Sequence, residues 1–229
     1  MHRLSLLSFV LLGGLACSGN PAAPHDPTGS GQLAMLNALV AGDPATVKVD
    51  GNPMTLPPAG QSGTAQLAAG AHQLQVIAGG GQVLTTAMIT LTDGGHRTAV
   101  LSGAAGHNVL LVTTLDTASV PVLDAAKMRL VHTVAGAPAM DAYLFAVGQA
   151  DDSAARFVTP FVFGSGTDPQ FPGYAVRPPG QYLVWLKAAG TDTVLLQAGP
   201  FTVNAGDVYS FVLAQNVAGE LELRAVKER

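Results

Sequence analysis

Two short runs occur twice in this chain. Val40-Ala41-Gly42-Asp43-Pro44-Ala45 returns as Val134-Ala135-Gly136-Ala137-Pro138-Ala139, and Gly70-Ala71-His72 returns as Gly180-Gln181-Tyr182. Such a repeat restricts the fold strongly, because each copy has to be a complete structural unit of its own. The spacing between the copies grows from 94 to 110 residues, so the second carries a longer insert. A chain of 229 residues then divides into two units of about a hundred residues, enough to close a sandwich core without a metal or a disulfide.

Runs of β-forming residues separated by Gly and Pro predict strands throughout. In the first unit, 33–114, they fall at Leu33–Val40, Thr46–Asp50, Gly63–Leu67, Ala71–Ala78, Val83–Leu91, Arg97–Ser102 and Asn108–Thr114, with a turn at Gly51-Asn52-Pro53. A linker covers 115–127, short enough to imply contact between the units. In the second unit, 128–229, strands are predicted at Met128–Val134, Met140–Val147, Arg156–Phe163, Tyr174–Val176, Gln181–Ala188, Val194–Val203, Val208–Gln215 and Glu220–Val226. Only 11% of residues are charged, against about 25% in an average soluble protein, and there are 27 Gly and 15 Pro, a composition of short strands and many turns. The fold class is all-β, two tandem β-sandwiches.

The start of the chain is built differently. Met1-His2-Arg3, an apolar run from Leu4 to Leu12 and Gly13-Gly14-Leu15-Ala16 form a signal peptide over 1–16, and the run is too short to span a bilayer. Cys17, the only cysteine, excludes an intramolecular disulfide. Its place after Leu15-Ala16 resembles a bacterial lipobox, although Gly14 stands where Leu is preferred and also fits ordinary secretory cleavage. A diacylated Cys17 and a disordered tether then occupy 17–32, and Ser18 in place of Asp favours the outer membrane in a diderm host. Cleavage removes Arg3 and takes the net charge from −4 to −5. That charge, without a basic stripe, argues against nucleic acid as a partner.

The stretch from Arg129 to Phe145 reads as two strands around Gly136-Ala137. Paired as a hairpin, it sets His132 opposite Asp141 and Leu130 opposite Tyr143. Arg129-Leu130-Val131-His132 followed by Ala137-Pro138-Ala139-Met140-Asp141-Ala142-Tyr143 resembles the opening motif of domain of unknown function 4397, an extracytoplasmic bacterial family of tandem β-sandwich modules on secreted proteins and lipoproteins. Pro179-Gly180-Gln181-Tyr182 and Val203-Asn204-Ala205-Gly206-Asp207-Val208-Tyr209-Ser210 resemble its two other recurring pieces. The resemblance covers the second half of the chain. It implies immunoglobulin-like or transthyretin-like sandwiches and an envelope address, and it brings no catalytic residues. In the first copy Met35 stands in the place of Arg129 and Ala38 in that of His132, so that copy reads as degenerate. Beyond Pro44 the alignment is open by one residue; Val47 and Val49 beside Ala142 and Leu144 leave Asp141 and Tyr143 on the opposite face.

Candidate chemistry is sparse. His132 and Asp141 could belong to a Ser-His-Asp triad, but no G-x-S-x-G elbow places a nucleophile, and a structural cross-strand pair is the better reading. His72, His96, His107 and His132 lack metal-ligand spacing, His25-Asp26 lies in the tether, and Asp151-Asp152-Ser153 lacks the further acids of a calcium loop. No metal or cofactor is expected. On the strand around Trp185, Tyr182, Val184 and Leu186 share one face and Leu183, Trp185 and Lys187 the other, which makes Trp185 either an outward anchor for a partner, a glycan or the neighbouring unit, or a core residue with the faces reversed. The reading is a non-catalytic lipoprotein of the cell envelope, held to the membrane by its lipid, with Arg129, His132, Asp141, Tyr143 and Trp185 as the candidate surface for a protein or glycan. The alternative is an exported hydrolase, or a metal-dependent enzyme's accessory protein, using Arg129, His132 and Asp141.

Overall fold

The computed structural model describes residues 29–39, 45–103, 109–113, 122–149, 156–166 and 173–228. The leader, Cys17, most of the tether, His107, Asp151-Asp152-Ser153 and most of the insert after Phe163 lie outside them. Sixteen strands are present among the described residues and no helix. The first eight are β1 (Ser30–Leu39), β2 (Ala45–Val49), β3 (Asn52–Met54), β4 (Ser62–Ala68), β5 (Gly70–Ala78), β6 (Val83–Leu91), β7 (His96–Gly103) and β8 (Val109–Thr113). The second eight are β9 (Ala126–His132), β10 (Met140–Ala146), β11 (Arg156–Phe161), β12 (Ala175–Arg177), β13 (Gly180–Ala188), β14 (Val194–Val203), β15 (Val208–Gln215) and β16 (Leu221–Lys227).

The sheets run β4-β1-β7-β8 and β3-β2-β5-β6, then β12-β9-β15-β16 and β11-β10-β13-β14, so the second set repeats the first strand for strand. Each pair closes on its own core. Leu33, Met35, Val47, Leu74, Val76 and Leu101 fill the first, and Met128, Leu130, Leu144, Phe161, Leu186 and Phe211 the second. A fully buried side chain of this size is worth about 1.5–3 kcal/mol. The eight strands predicted in the second unit are all present. The first unit contains one more than predicted, β3, because Pro53 sits on an edge strand, where a missing N–H is tolerated, and the turn lies at Asp50-Gly51 instead. Both of those residues have positive φ (50° and 80°), the geometry that an Asp-Gly two-residue hairpin requires.

Register corrects the alignment of the copies. Gly94 N–H donates to Ser30 O and Gln32 N–H to Gly95 O at 2.8 Å; Gly206 N–H donates to Ala125 O and Lys127 N–H to Asp207 O at 2.9 Å. These matched pairs set Gln32 on Lys127, and hence Ala34 on Arg129 and Asn37 on His132, one residue away from the pairing with Met35 and Ala38. The preferred match of Val47 and Val49 with Ala142 and Leu144 holds, since all four point into the cores.

Asn37 and His132 do the same work. Leu39 N–H donates to Asn37 Oδ1 at 3.1 Å and Val134 N–H to His132 Nδ1 at 3.2 Å. Asn37 N–H bonds Gln61 O and its carbonyl takes Gly60 N–H, while His132 N–H bonds Ser165 O and its carbonyl takes Gly164 N–H. Gly60 and Gly164 sit at φ +78° and +85°, where a side chain would be strained. The polar position is a strand-end lock kept in both copies.

The corner after β4 and after β12 is also shared. Tyr182 Oη donates to Pro178 O, four residues upstream, at 2.8 Å, in the manner of the tyrosine corner of sandwich folds. In the first copy His72 takes that place, with Nε2 2.8 Å from Ala68 O and Nδ1 2.7 Å from Asp50 Oδ2. Burial alone would lower the His72 pKa, but the Asp50 carboxylate and the Ala68 carbonyl outweigh it and hold the pKa above the usual imidazole value. His72 side-chain and Gln73 backbone hydrogen bonds hold Asp50 below the carboxylate range. The pair therefore contributes fully below the ordinary His pKa of about 6.5 and fades as pH rises through the raised value. The melting midpoint should fall from pH 6.5 to pH 8, and Asp50→Asn should flatten that dependence.

The two sandwiches are stacked against each other. Ala34, Leu36, Ala38 and Val100, on the outer face of β1 and β7, pack on Val131, Val212 and Val226 of β9, β15 and β16. Leu36 and Val100 face each other in register, as do Val131 and Val212, so each unit offers the same pair of positions. The result is four layers of sheet. Its rim is tied by Ser102 Oγ to Thr133 Oγ1 at 2.5 Å and by Arg224 to the carbonyls of Ala38 and Gly103. The units meet through an apolar face on each, as a short linker led one to expect. β9 begins at Ala126, inside the stretch read as linker.

Candidate functional site

The five residues singled out from the sequence part into three places. β9 and β10 belong to different sheets, because 133–139 carries the chain across the sandwich instead of turning it back as a hairpin. β9, buried on both faces, takes β12 and β15 as neighbours, as a central strand does. The predicted pairing of His132 with Asp141 and of Leu130 with Tyr143 is therefore not formed.

Arg129 points out of its sandwich toward the stacked interface and is 2% exposed. Its Nε donates to Ser210 Oγ at 2.5 Å, Nη2 lies 3.1 Å from Glu228 Oε1 as an ion pair without an aligned hydrogen bond, and the guanidinium sits over the Tyr174 ring at 4.6 Å. Ser210 and Tyr174 each donate a hydroxyl to the same carboxylate, at 2.5 Å and 2.7–2.8 Å. Four side chains from four chain segments neutralise one another in a closed network.

His132 points the other way, into the core, with no exposed surface and its ring 4.9 Å from that of Phe161. Since Nδ1 accepts from Val134 N–H, the neutral ring carries its proton on Nε2, which has no partner among the described residues. Burial pushes its pKa down to about 4. Asp141, 4% exposed on the far side of the second sheet, accepts from the Thr159 hydroxyl and, at 3.1 Å, from Gly190 N–H. Chiefly the Thr159 hydroxyl holds its carboxyl below the usual range, against the effect of burial.

Asp141 does share its face with Tyr143 and Trp185. β10 and β13 pair so that Asp141 lies beside Lys187, Tyr143 beside Trp185 and Phe145 beside Leu183. Tyr182, Val184 and Leu186 fill the core, so Trp185 is on the outer face, half-buried, its ring edge-on to Phe145 at 5.1 Å. The neighbouring unit is not what it contacts, since the sandwiches stack through the other sheet. Lys187 Nζ lies 4.9 Å from the Tyr143 ring centre and 5.8 Å from that of Trp185, and Arg156 donates to Tyr143 Oη at 3.2 Å. This is a framed cluster of aromatic rings and cations, with Leu195 and Val194 exposed (40% and 43%) on the adjoining edge strand β14.

Comparison with known proteins places the chain. Residues 31–143 match the profile of a domain of unknown function, DUF4397. The chain carries a DUF4397 domain. The match runs from β1 through the opening motif of the second copy to Tyr143, so it falls mainly on the sandwich that the sequence had marked as degenerate. In that sandwich Asn37 performs the backbone task of His132. No curated protein matches the chain. Among solved structures, the product complex of a multi-modular glycogen-degrading pneumococcal virulence factor, SpuA, aligns over 81% of this chain at 9% identity and a TM-score of 0.26. The chain spans about a fifth (21%) of that protein's length, and a likeness this slight carries neither fold nor activity across.

Sequence reasoning missed the partners that make sense of Arg129 in this DUF4397 chain. Ser210 lies 81 residues away in sequence, and only the parallel pairing of β9 with β15 brings it alongside. Glu228 lies beyond the last predicted strand, Glu220–Val226, where the local sequence marks no partner for it. Arg156 and Thr159 lie on β11, where nothing in the local sequence marks them as neighbours of Tyr143 and Asp141.

Proposed function

We propose that this DUF4397 chain is an exported protein, anchored through a lipidated Cys17, whose stacked sandwiches bind a protein or glycan at the cell envelope without catalysing a reaction. The observation that carries this reading is the use to which Arg129, His132 and Asp141 are put. Arg129, His132 and Asp141 each bond framework groups, in three separate places, and His132 Nδ1 has a counterpart of the same role in Asn37 Oδ1, although Arg129 Nη2 and His132 Nε2 have no hydrogen-bond partner among the described residues. A triad needs a base within hydrogen-bond reach of both its nucleophile and its orienting acid. Four stacked layers suit presentation of a surface, and on the outer face of β10 and β13 Trp185 is half-buried beside a Tyr143 that is 5% exposed. A net charge of −4 disfavours nucleic acid as the partner.

Two measurements test it. Labelled fatty acid should enter the wild-type protein and not Cys17→Ser; equal labelling, or a mature protein free in the medium, would remove the anchor from the proposal. The soluble fragment 28–229 should retain a discrete component of a host envelope extract, and Trp185→Ala should release it while leaving the melting temperature within a few degrees. Retention that ignores Trp185, or a hydrolytic activity abolished by His132→Ala in a folded protein, would overturn the binding reading.

A further inference from the structure

The stacked interface is thin for the task of making two sandwiches one body. Its apolar part is seven residues, six of them Ala or Val, and interfaces between domains of one chain ordinarily leave relative motion open unless they are large and hydrophobic. Polar bonds on the rim have to fix the arrangement, and besides Ser102–Thr133 and Arg224 the rim carries Glu228. Its carboxylate belongs to the second sandwich, where it is 5% exposed, pairs with Arg129 and accepts from Tyr174 and Ser210. Its backbone belongs to both. The N–H donates to Val208 O at 2.8 Å in the second sandwich, and the carbonyl accepts from Ser62 Oγ at 2.9 Å in the first. Next to it, Lys227 N–H reaches Gly60 O at 3.3 Å, and Lys227 pairs with Gln61 as a parallel bridge. Gly60 and Gln61 are the residues that hold both backbone groups of Asn37, the strand-end lock of the first sandwich.

We infer that Glu228 is a coupling latch, through which the buried charge pair of the second sandwich holds the end of β16 against the first and makes the two unfold as one unit. The chain of contacts is continuous: Arg129 fixes the carboxylate, the carboxylate fixes residues 227–228, and these bond the Gly60–Ser62 corner that locks β1. Buried ion pairs are poor sources of net stability, and their best-attested use is to specify one arrangement among several. An apolar interface of Ala and Val can slide, whereas a buried carboxylate with three partners at fixed positions cannot.

Calorimetry of the soluble fragment 28–229 tests this directly. The wild type should melt in a single transition. Glu228→Ala should split it into two, the lower one shifted down by at least about 5 °C, the scale on which one kcal/mol moves a domain of this size. Ser62→Ala, which keeps the charge pair and removes only the cross-unit hydroxyl, should leave the midpoint almost unchanged and speed hydrogen exchange of the Lys227 amide by about fivefold or more. Two transitions in the wild type would show that the sandwiches are uncoupled. A single unshifted transition in Glu228→Ala, or unchanged exchange at Lys227 in Ser62→Ala, would show that the apolar contact and the Ser102–Thr133 and Arg224 bonds couple them without Glu228, and would equally overturn the latch.

Discussion

Arg129→Ala lowers the stability of the second sandwich by about 3–5 kcal/mol, the cost of leaving one member of a buried ion pair without the other. Glu228, whose side chain is 5% exposed in the wild type, would keep the Tyr174 and Ser210 hydroxyls but lose the guanidinium that balances its charge. Arg129→Lys should recover little. An ammonium cannot donate to Ser210 along the plane of a guanidinium that also stacks over the Tyr174 ring. Arg129→Ala combined with Glu228→Ala should lose less than the sum of the single changes, because no charge is then stranded. Ala34 occupies the Arg129 position in the first copy, so the framework itself does not demand an arginine. Urea denaturation followed by tryptophan fluorescence reads all of these, since Trp185 lies in the affected sandwich. Wild-type midpoints for both single variants would remove the network from the account of stability.

The second large effect is acid sensitivity. His132 is neutral in the folded protein down to about pH 4, while in the unfolded chain it takes up a proton near pH 6.5. Between those values the unfolded state binds the extra proton, so stability falls as pH is lowered, by about 3 kcal/mol in all at 1.36 kcal/mol per unit. Above pH 6.5 this contribution to the pH dependence vanishes. His132→Asn puts the first copy's residue in place, keeps an oxygen for Val134 N–H and cannot titrate. Whatever it costs at pH 7, it should flatten the slope of stability between pH 6.5 and 4. A variant as acid-sensitive as wild type would assign the effect elsewhere. The first sandwich has the opposite dependence through His72 and Asp50, so mild acid strengthens one half of the molecule before weakening the other.

The strands of the second copy were legible because their signal is local. β-branched and aromatic runs alternate and are bounded by Gly and Pro, and a strand is recognised from such a window alone. β3 was missed because Pro53 argues against a strand, and only the edge position of β3 makes it harmless. The faces of β13 were readable as a pair but not as inside and outside, since Leu183 and Trp185 are as apolar as Val184 and Leu186. The fold settles the choice by setting β13 between β10 and β14 with Val184 and Leu186 in the core.

Repeat and strand pattern in the sequence were enough to determine that this chain is two tandem all-β units, and the motif from Arg129 to Tyr143 was enough to name the DUF4397 family. What Arg129, His132 and Asp141 do was decided only in three dimensions. A hairpin and a crossover look the same over seven connecting residues, because the difference lies in which strand supplies the hydrogen-bond ladder, and for β9 that partner is β15, about eighty residues on. With that pairing, Arg129 meets Ser210 and Glu228, His132 turns into the core, and Asp141 is left on a separate sheet. The one-residue offset between copies belongs to the same class of question. Val40 and Val134 match as letters, but backbone hydrogen bonds, not letters, set which residues occupy the same place, and they put Asn37 under His132.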